Sequence, residues 1–208
     1  MKIFFVSSLL LANIVVADQF QNLTLDNVNT NAPLQSINEN EWIGKSSDLI
    51  PGWSVSINGV VTNSVGYSYP GHVVAVPGIT VISHAPQFAH SLFFESNGGG
   101  RDGLVEGLVA ISQRGVIPVD AKWISLDNPN PSKTFNIYIN GVDLGYVLGQ
   151  GRMDISKFSG QEVNLSIGTR FSGTLDGVSF ISVPEPSTVG LVLVGSVVIW
   201  SIPRGKRT

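Results

Sequence analysis

Cysteine is absent from the 208-residue sequence, and charged residues make up only 13% of it. Without cysteine the chain can form no disulfide framework, no thiolate metal site and no thiol nucleophile. The low charge comes with 23 glycines and 11 prolines, a composition typical of short strands joined by many turns. We therefore expect an all-β protein, and the length suits one domain with a sizeable core.

Positive charge is scarce in the central part of the chain. Residues 18–183 contain eight Lys or Arg and fourteen Asp or Glu, which gives a formal charge of −6. Nucleic acids and anionic lipids are bound through positive surfaces, so this balance argues against both as partners. Neutral glycans and cations stay open as partners.

Catalytic motifs are also missing. The sequence has no G-x-S-x-G elbow, H-E-x-x-H pair or phosphate-binding loop. His84 and His90 are a loose pair for a metal, but no third ligand is obvious, so solvated or hydrogen-bonded loop histidines are the favoured interpretation. Glu95 and Glu106 are candidates for the acid and nucleophile of a glycosidase, although ordinary surface carboxylates give the same pattern. We expect a non-catalytic domain, with a secreted glycan-active hydrolase as the alternative.

The central part alternates apolar and polar residues with a period of two. The stretch Phe135–Ile139 is the clearest example, and it leads into Asn140-Gly141. A second pair, Asn58-Gly59, repeats this signal for a two-residue hairpin turn with positive φ. A short helical turn is expected after Asp154, with Gly160 ending it. Further strands are predicted in "HVVAVPGITVIS", "HSLFFES", "LVAISQRG", "AKWISLD", "EVNLSIGTRF" and "LDGVSFISV".

Two tyrosines are candidates for sugar contact. Tyr67 and Tyr69 are two positions apart in "VGYSYPG", so they share one face of a strand, where aromatic rings can stack on a sugar. Packing within the sheet is the alternative, as is usual for aromatic residues in strands.

The first seventeen residues, "MKIFFVSSLLLANIVVA", combine Lys2 with a long apolar stretch and small residues at the end. This pattern predicts a secretory signal peptide that is cleaved between Ala17 and Asp18; an uncleaved anchor and a buried strand are the alternatives. An exported chain without cysteine indicates a bacterial envelope or extracellular matrix.

A second apolar run lies near the other terminus. Residues 189–202 would form a helix of about 21 Å, against a hydrocarbon core of about 30 Å. A buried C-terminal helix of the domain is the alternative, although an ordinary surface helix would show a polar face and none appears here. We therefore predict a short hydrophobic helix for the membrane, with its basic end on the cytoplasmic side.

The whole segment, "VPEPSTVGLVLVGSVVIWSIPRGKR", resembles the PEP-CTERM sorting signal of exported bacterial proteins. That resemblance implies cleavage by an exosortase-type enzyme after a transient stage in the inner membrane. It assigns the recognition box and the basic stop to Pro184, Glu185, Pro186, Arg204, Lys206 and Arg207. Pro203 departs from the pattern, because it ends the apolar run early.

The central part resembles galactose-binding-like and DUF642-type sandwiches. The matching pieces, in order, are "FQNLTLDNVN", "LIPGWSVS", "AISQRGVIP", "FNIYINGVDL", "MDISKFSGQEVNLSIG" and "LDGVSFISVPEP". The resemblance implies a jelly-roll-like β-sandwich over residues 18–183, between a signal peptide at 1–17 and a sorting tail at 184–208.

In such folds the terminal strands lie close together, which makes Asp26 and Asp176 candidates for a structural calcium site. Asp26-Asn27 and Asp176-Gly177 are also common turn pairs, so turn formation is the alternative. No cofactor is otherwise required. The sequence thus predicts an exosortase-sorted cell-surface or extracellular-matrix protein with a non-catalytic sandwich that binds an exopolysaccharide or other glycan.

Overall fold

Short β-strands dominate the computed structural model, which describes residues 19–39, 41–68, 78–84, 89–96 and 107–182. In chain order the strands are β1 Gln35–Asn38, β2 Glu41–Lys45, β3 Ser54–Ile57, β4 Val60–Thr62, β5 Ser64–Ser68, β6 Gly78–His84, β7 Ala89–Glu95, β8 Val109–Val116, β9 Ala121–Asp127, β10 Thr134–Ile139, β11 Val142–Leu148, β12 Arg152–Asp154, β13 Glu162–Thr169, β14 Gly173–Leu175 and β15 Gly177–Ser182. Two single helical turns, α1 at Ser46–Leu49 and a 3-10 turn at Ser156–Phe158, accompany them. The all-β prediction is confirmed.

Several predicted features lie outside the described residues. These are the signal peptide with its cleavage point at Ala17-Asp18, and the tail over residues 184–208. Within the ranges that the structure describes, no helix is long and apolar enough to cross a membrane.

The strands form three sheets. The first sheet has the order β1-β2-β5-β6-β7-β14, the second β11-β10-β13-β8-β3-β4, and the small sheet β12-β9-β15. Neighbouring strands are antiparallel, apart from β5 and β6, which run parallel with Tyr67 opposite Val81. The last two strands, β14 and β15, are separated by Asp176 alone and connect the first sheet to the small sheet.

One hydrophobic core is shared by all three sheets. Its centre joins Phe94 of β7 to Phe135 of β10; both side chains are fully buried, and their rings meet edge to face with centroids 5.0 Å apart. Ile137 and Ile139 on the same strand are also fully buried, whereas the alternating residues Asn136 and Tyr138 are not. The period-two alternation therefore places this strand as predicted, with its apolar face on the core.

Both predicted hairpins form. Asn58 and Gly59 turn β3 into β4 with φ of 51° and 80°, and Asn140 and Gly141 turn β10 into β11 with φ of 52° and 78°. Asn and Gly suit these positions because most other residues avoid positive φ. The Asn58 side chain also accepts a hydrogen bond from the backbone N–H of Leu108, at 2.9 Å.

The predicted helical turn is a single 3-10 turn. One carboxylate oxygen of Asp154 accepts hydrogen bonds from the backbone N–H and the hydroxyl of Ser156, at 2.9 and 2.7 Å. These bonds lower the pKa of the Asp154 carboxyl below its ordinary value, because they stabilise the charged form. Gly160 follows the turn with a φ of 71°, as expected for its end, whereas the cap position at its start is Ile155 and not Asp154.

The N-terminal segment is attached to the second sheet through Gln113, a β8 side chain that is only 7% exposed. Its amide oxygen accepts a hydrogen bond from the backbone N–H of Gln21, at 2.7 Å, and its amide nitrogen donates to the carbonyl of Gly52, at 2.6 Å. Gly52 has a φ of 86°, and a Cβ there would collide with the same amide. Gln113 therefore holds two backbone segments together.

Candidate functional site

The candidate site forms where the last strand changes partners. Strand β14 pairs with β7 up to Leu175, which lies opposite Leu92. Strand β15 then pairs with β9, starting at Gly177 opposite Asp127. Asp176 lies at the change, and its backbone N–H donates to the carbonyl of Asp127, at 2.8 Å. The pairing of β7 with β14 therefore spans Leu92–Phe94, and the chain continues on β9 after Asp176.

A cavity of about 420 Å³ lies beside this change of partner. It is lined by His90 and Ser91 of β7, by the end of β9 at Asp127, by residues 176–179, and by Thr24 and Asp26. His90, Ser91 and Val178 are at most 6% exposed, whereas Asp26, Asp127 and Ser179 are exposed. The cavity thus combines a buried floor with a solvent-facing rim that carries carboxylates.

An N-terminal turn borders the cavity. The carbonyl of Leu23 accepts a hydrogen bond from the backbone N–H of Val178, at 2.8 Å. The Asn22 side chain closes the turn through two bonds to the backbone of Asn27, accepting at 2.9 Å and donating at 3.1 Å. Leu25, fully buried with a φ of 58°, fixes the turn in the core. These contacts hold Asp26 beside the final strand.

The two residues predicted for calcium, Asp26 and Asp176, line this same cavity. Asp127 joins them as a third carboxylate that the sequence reasoning did not find. The sequence around Asp127, "WISLDNP", does not indicate that the end of this middle strand lies beside the terminal strands. Asp127 lines the cavity because β14 pairs with β7 whereas β15 pairs with β9, which ends at Asp127.

The donor chemistry of this cavity suits a hard cation in part. Carboxylates are present, and backbone carbonyls are close: a Cβ placed on Gly177 would lie 3.5 Å from the oxygen of Leu23 and 3.7 Å from that of Thr24. However, no three His, Asp or Glu side chains in the described part of the chain are grouped to hold a metal. Calcium at Asp26 and Asp176 would therefore need carbonyls and water to reach its usual 6–8 oxygens. The calcium site stays a prediction.

The tyrosine candidates for sugar contact need a correction. Tyr67 is 7% exposed and belongs to the core, where its ring lies 6.1 Å from the ring of Trp42. A ring buried in this way cannot stack on a sugar. Tyr69 lies outside the described residues.

Three of the remaining candidates lie in described strands, and one lies outside the described residues. His90 lines the cavity, and His84 ends β6. Glu95 ends β7 and is partly buried, while Glu106 lies outside the part that the structure describes. The proposed acid and nucleophile pair of a glycosidase therefore stays a prediction.

Comparisons with known proteins add little to this description. No family model matches the chain, and no curated protein matches it. Among solved structures, a GH31 alpha-xylosidase from Xanthomonas citri is similar over 75% of this chain, at 12% identity and a TM-score of 0.25. The match spans 16% of that enzyme's chain, and a likeness this weak carries no argument. Fold and site define an all-β protein with an acidic cavity beside its final strand.

Proposed function

We propose that this chain is an exported bacterial protein of the cell surface or extracellular matrix, delivered by a PEP-CTERM-type sorting tail. Its body would be a jelly-roll-like, non-catalytic sandwich that binds a glycan. The observation that carries the proposal is the order of Pro184-Glu185-Pro186, the apolar residues 189–202 and the basic cluster at 204–207. An exosortase-type enzyme would read the box while the apolar run is in the inner membrane.

The position of the box supports this proposal. The last strand ends at Ser182, and the box begins two residues later at Pro184. Cleavage at the box would therefore remove no described strand. The formal charge of −6 over residues 18–183 favours neutral or cationic partners over nucleic acid and anionic lipid.

The sorting proposal is tested by changing the box in the native host. We expect Pro184→Ala with Pro186→Ala to leave the chain uncleaved and retained in the inner-membrane fraction, because the recognition element is lost while the apolar run stays. Pro129→Ala with Pro131→Ala is the matched control, since it alters a second Pro-x-Pro sequence, which is exposed between β9 and β10. Fractionation with immunoblotting measures the outcome. Normal processing of the box variant would contradict the proposal.

A secreted glycan-active hydrolase is the second candidate, because three carboxylates line the cavity. Such an enzyme needs two carboxyl groups about 5–5.5 Å apart for retention, or about 6.5–9.5 Å apart for inversion, across the scissile bond. Release of reducing sugar from polysaccharides by the purified protein would favour this candidate over the non-catalytic one.

The calcium site is tested by melting. We expect chelation to lower the Tm by roughly 5–10 °C. An ion present at about 100 times its Kd stabilises the folded state by about 2.7 kcal/mol. Each change of about 1 kcal/mol changes the Tm of a domain of this size by about 2–4 °C. Asp176→Asn should remove most of this difference. Asp120→Asn, an exposed change in the turn before β9, should keep it. Identical melting with and without chelator would leave only the turn-forming interpretation.

A further inference from the structure

The cavity beside the final strand is much larger than a calcium site requires. Its volume is about 420 Å³, whereas calcium holds its oxygens at about 2.3–2.6 Å and each water takes about 30 Å³. An ion between Asp26 and Asp176 would fill a small part of this space. Other polar residues also line the cavity, among them His90, Ser91, Asp127 and Ser179. Volumes from about 300 Å³ upward are typical of pockets for small organic ligands.

The polar groups around this space are spread out. They come from four separate segments of the chain, and no three His, Asp or Glu side chains among the described residues are grouped to hold a metal. A metal needs donors that converge on one point, but a sugar ring carries hydroxyls around its whole edge. Carboxylates accept hydrogen bonds from such hydroxyls, and serine and histidine both donate and accept. The arrangement therefore suits a polyhydroxylated ring.

The buried floor and the exposed rim of the cavity would contact different parts of a ligand. Val178 gives the floor an apolar surface at 4% exposure, beside His90 and Ser91, which are 6% and 3% exposed. Hydrogen bonds made at such buried groups compete little with water. Asp127 and Ser179 on the rim are exposed, so a ligand can enter from solvent. The ligand that this geometry fits is one sugar unit, such as the end of a glycan chain.

The charge of the lining selects among sugars. Asp26, Asp127 and Asp176 face the cavity, and the described lining residues include no Lys or Arg. A uronate or sulfated sugar would bring a like charge to within a few ångströms of these carboxylates, and an ammonium group would be attracted to them. We propose that the cavity binds a sugar unit without acidic groups, and binds amine-bearing sugars more tightly than neutral ones. This inference rests on the proposed glycan-binding function.

The test uses full-length protein with a chelator present throughout, so that no bound ion neutralises the carboxylates, and oligosaccharides of glucosamine, glucose and glucuronate of equal length. We expect affinity to fall in that order, by at least tenfold from first to last. Asp127→Asn should weaken binding of the glucosamine probe by roughly tenfold, because it removes a charge-assisted contact. Ser179→Ala should weaken binding of the glucose probe, and Asp120→Asn should change neither. The melting curve of Asp127→Asn should match that of the wild type, since its backbone bond to Asp176 is kept.

The outcomes separate this inference from the function on which it rests. If the wild type and the Asp127→Asn variant bind glycans equally well, the cavity is not the binding site. The glycan-binding function then stays intact. Glucuronate binding as tight as glucosamine binding also overturns the inference. Absence of binding to these probes and to a broad glycan array overturns the glycan-binding function together with the inference, and leaves the sorting proposal unaffected.

Discussion

Replacing Phe135 by alanine is expected to lower the free energy of unfolding by about 3–5 kcal/mol, the usual cost of deleting a buried phenylalanine ring. Phe135 is fully buried, and its ring meets that of Phe94 at 5.0 Å between centroids. The two rings belong to β10 and β7, so the deletion opens a cavity between the first and second sheets. Urea unfolding measures the change.

The control is another phenylalanine. Phe171 is 60% exposed, and its replacement by alanine should change the free energy of unfolding by no more than about 0.5 kcal/mol. Equal effects at the two positions would mean that Phe135 is not at the centre of a shared core.

The second large effect is expected at Gln113. Alanine there should cost about 2–6 kcal/mol, because the backbone N–H of Gln21 and the carbonyl of Gly52 would each lose a partner in a partly buried place, at about 1–3 kcal/mol apiece. The change should also loosen the segment that carries Asp26, and so reduce the stabilisation by calcium. Thermal melts with and without chelator measure both effects.

Gln161 provides the matched control for this variant. Its side chain is exposed and donates a single hydrogen bond to the carbonyl of Lys157, at 2.7 Å. Gln161→Ala should leave stability within about 0.5 kcal/mol of the wild type and leave the response to chelator unchanged. A Gln113 variant that behaves like Gln161→Ala would contradict the anchoring role.

Local signals account for the part of the fold that the sequence predicted. Hairpin turns at Asn58-Gly59 and Asn140-Gly141 depend on residues that tolerate positive φ, and burial in β10 follows directly from alternation. The parallel pairing of β5 with β6 was not predicted, because parallel pairing leaves no short turn signal in the sequence. Strands β1 and β2 were also missed, since "QSIN" and "EWIGK" alternate weakly.

The sequence predicted only part of the site, because the rest depends on contacts between distant segments of the chain. Asp26 and Asp176 came from a resemblance in which terminal strands meet, whereas His90, Ser91 and Asp127 reach the cavity only because β14 leaves β7 at Leu175. That change of partner is a tertiary event. The burial of Tyr67 could have been predicted from the sequence, because the apolar Val65 lies two residues before it and therefore on the same face of the strand. Both side chains are buried.

Intact-mass measurement of the protein recovered from its native host tests the central claim, that a sorting tail delivers a folded sandwich. We expect a chain that begins at Asp18 and ends close to Pro184-Glu185-Pro186, without the apolar run and the basic cluster. A mass that includes every residue through Arg207-Thr208 in the exported protein would contradict delivery by a sorting tail.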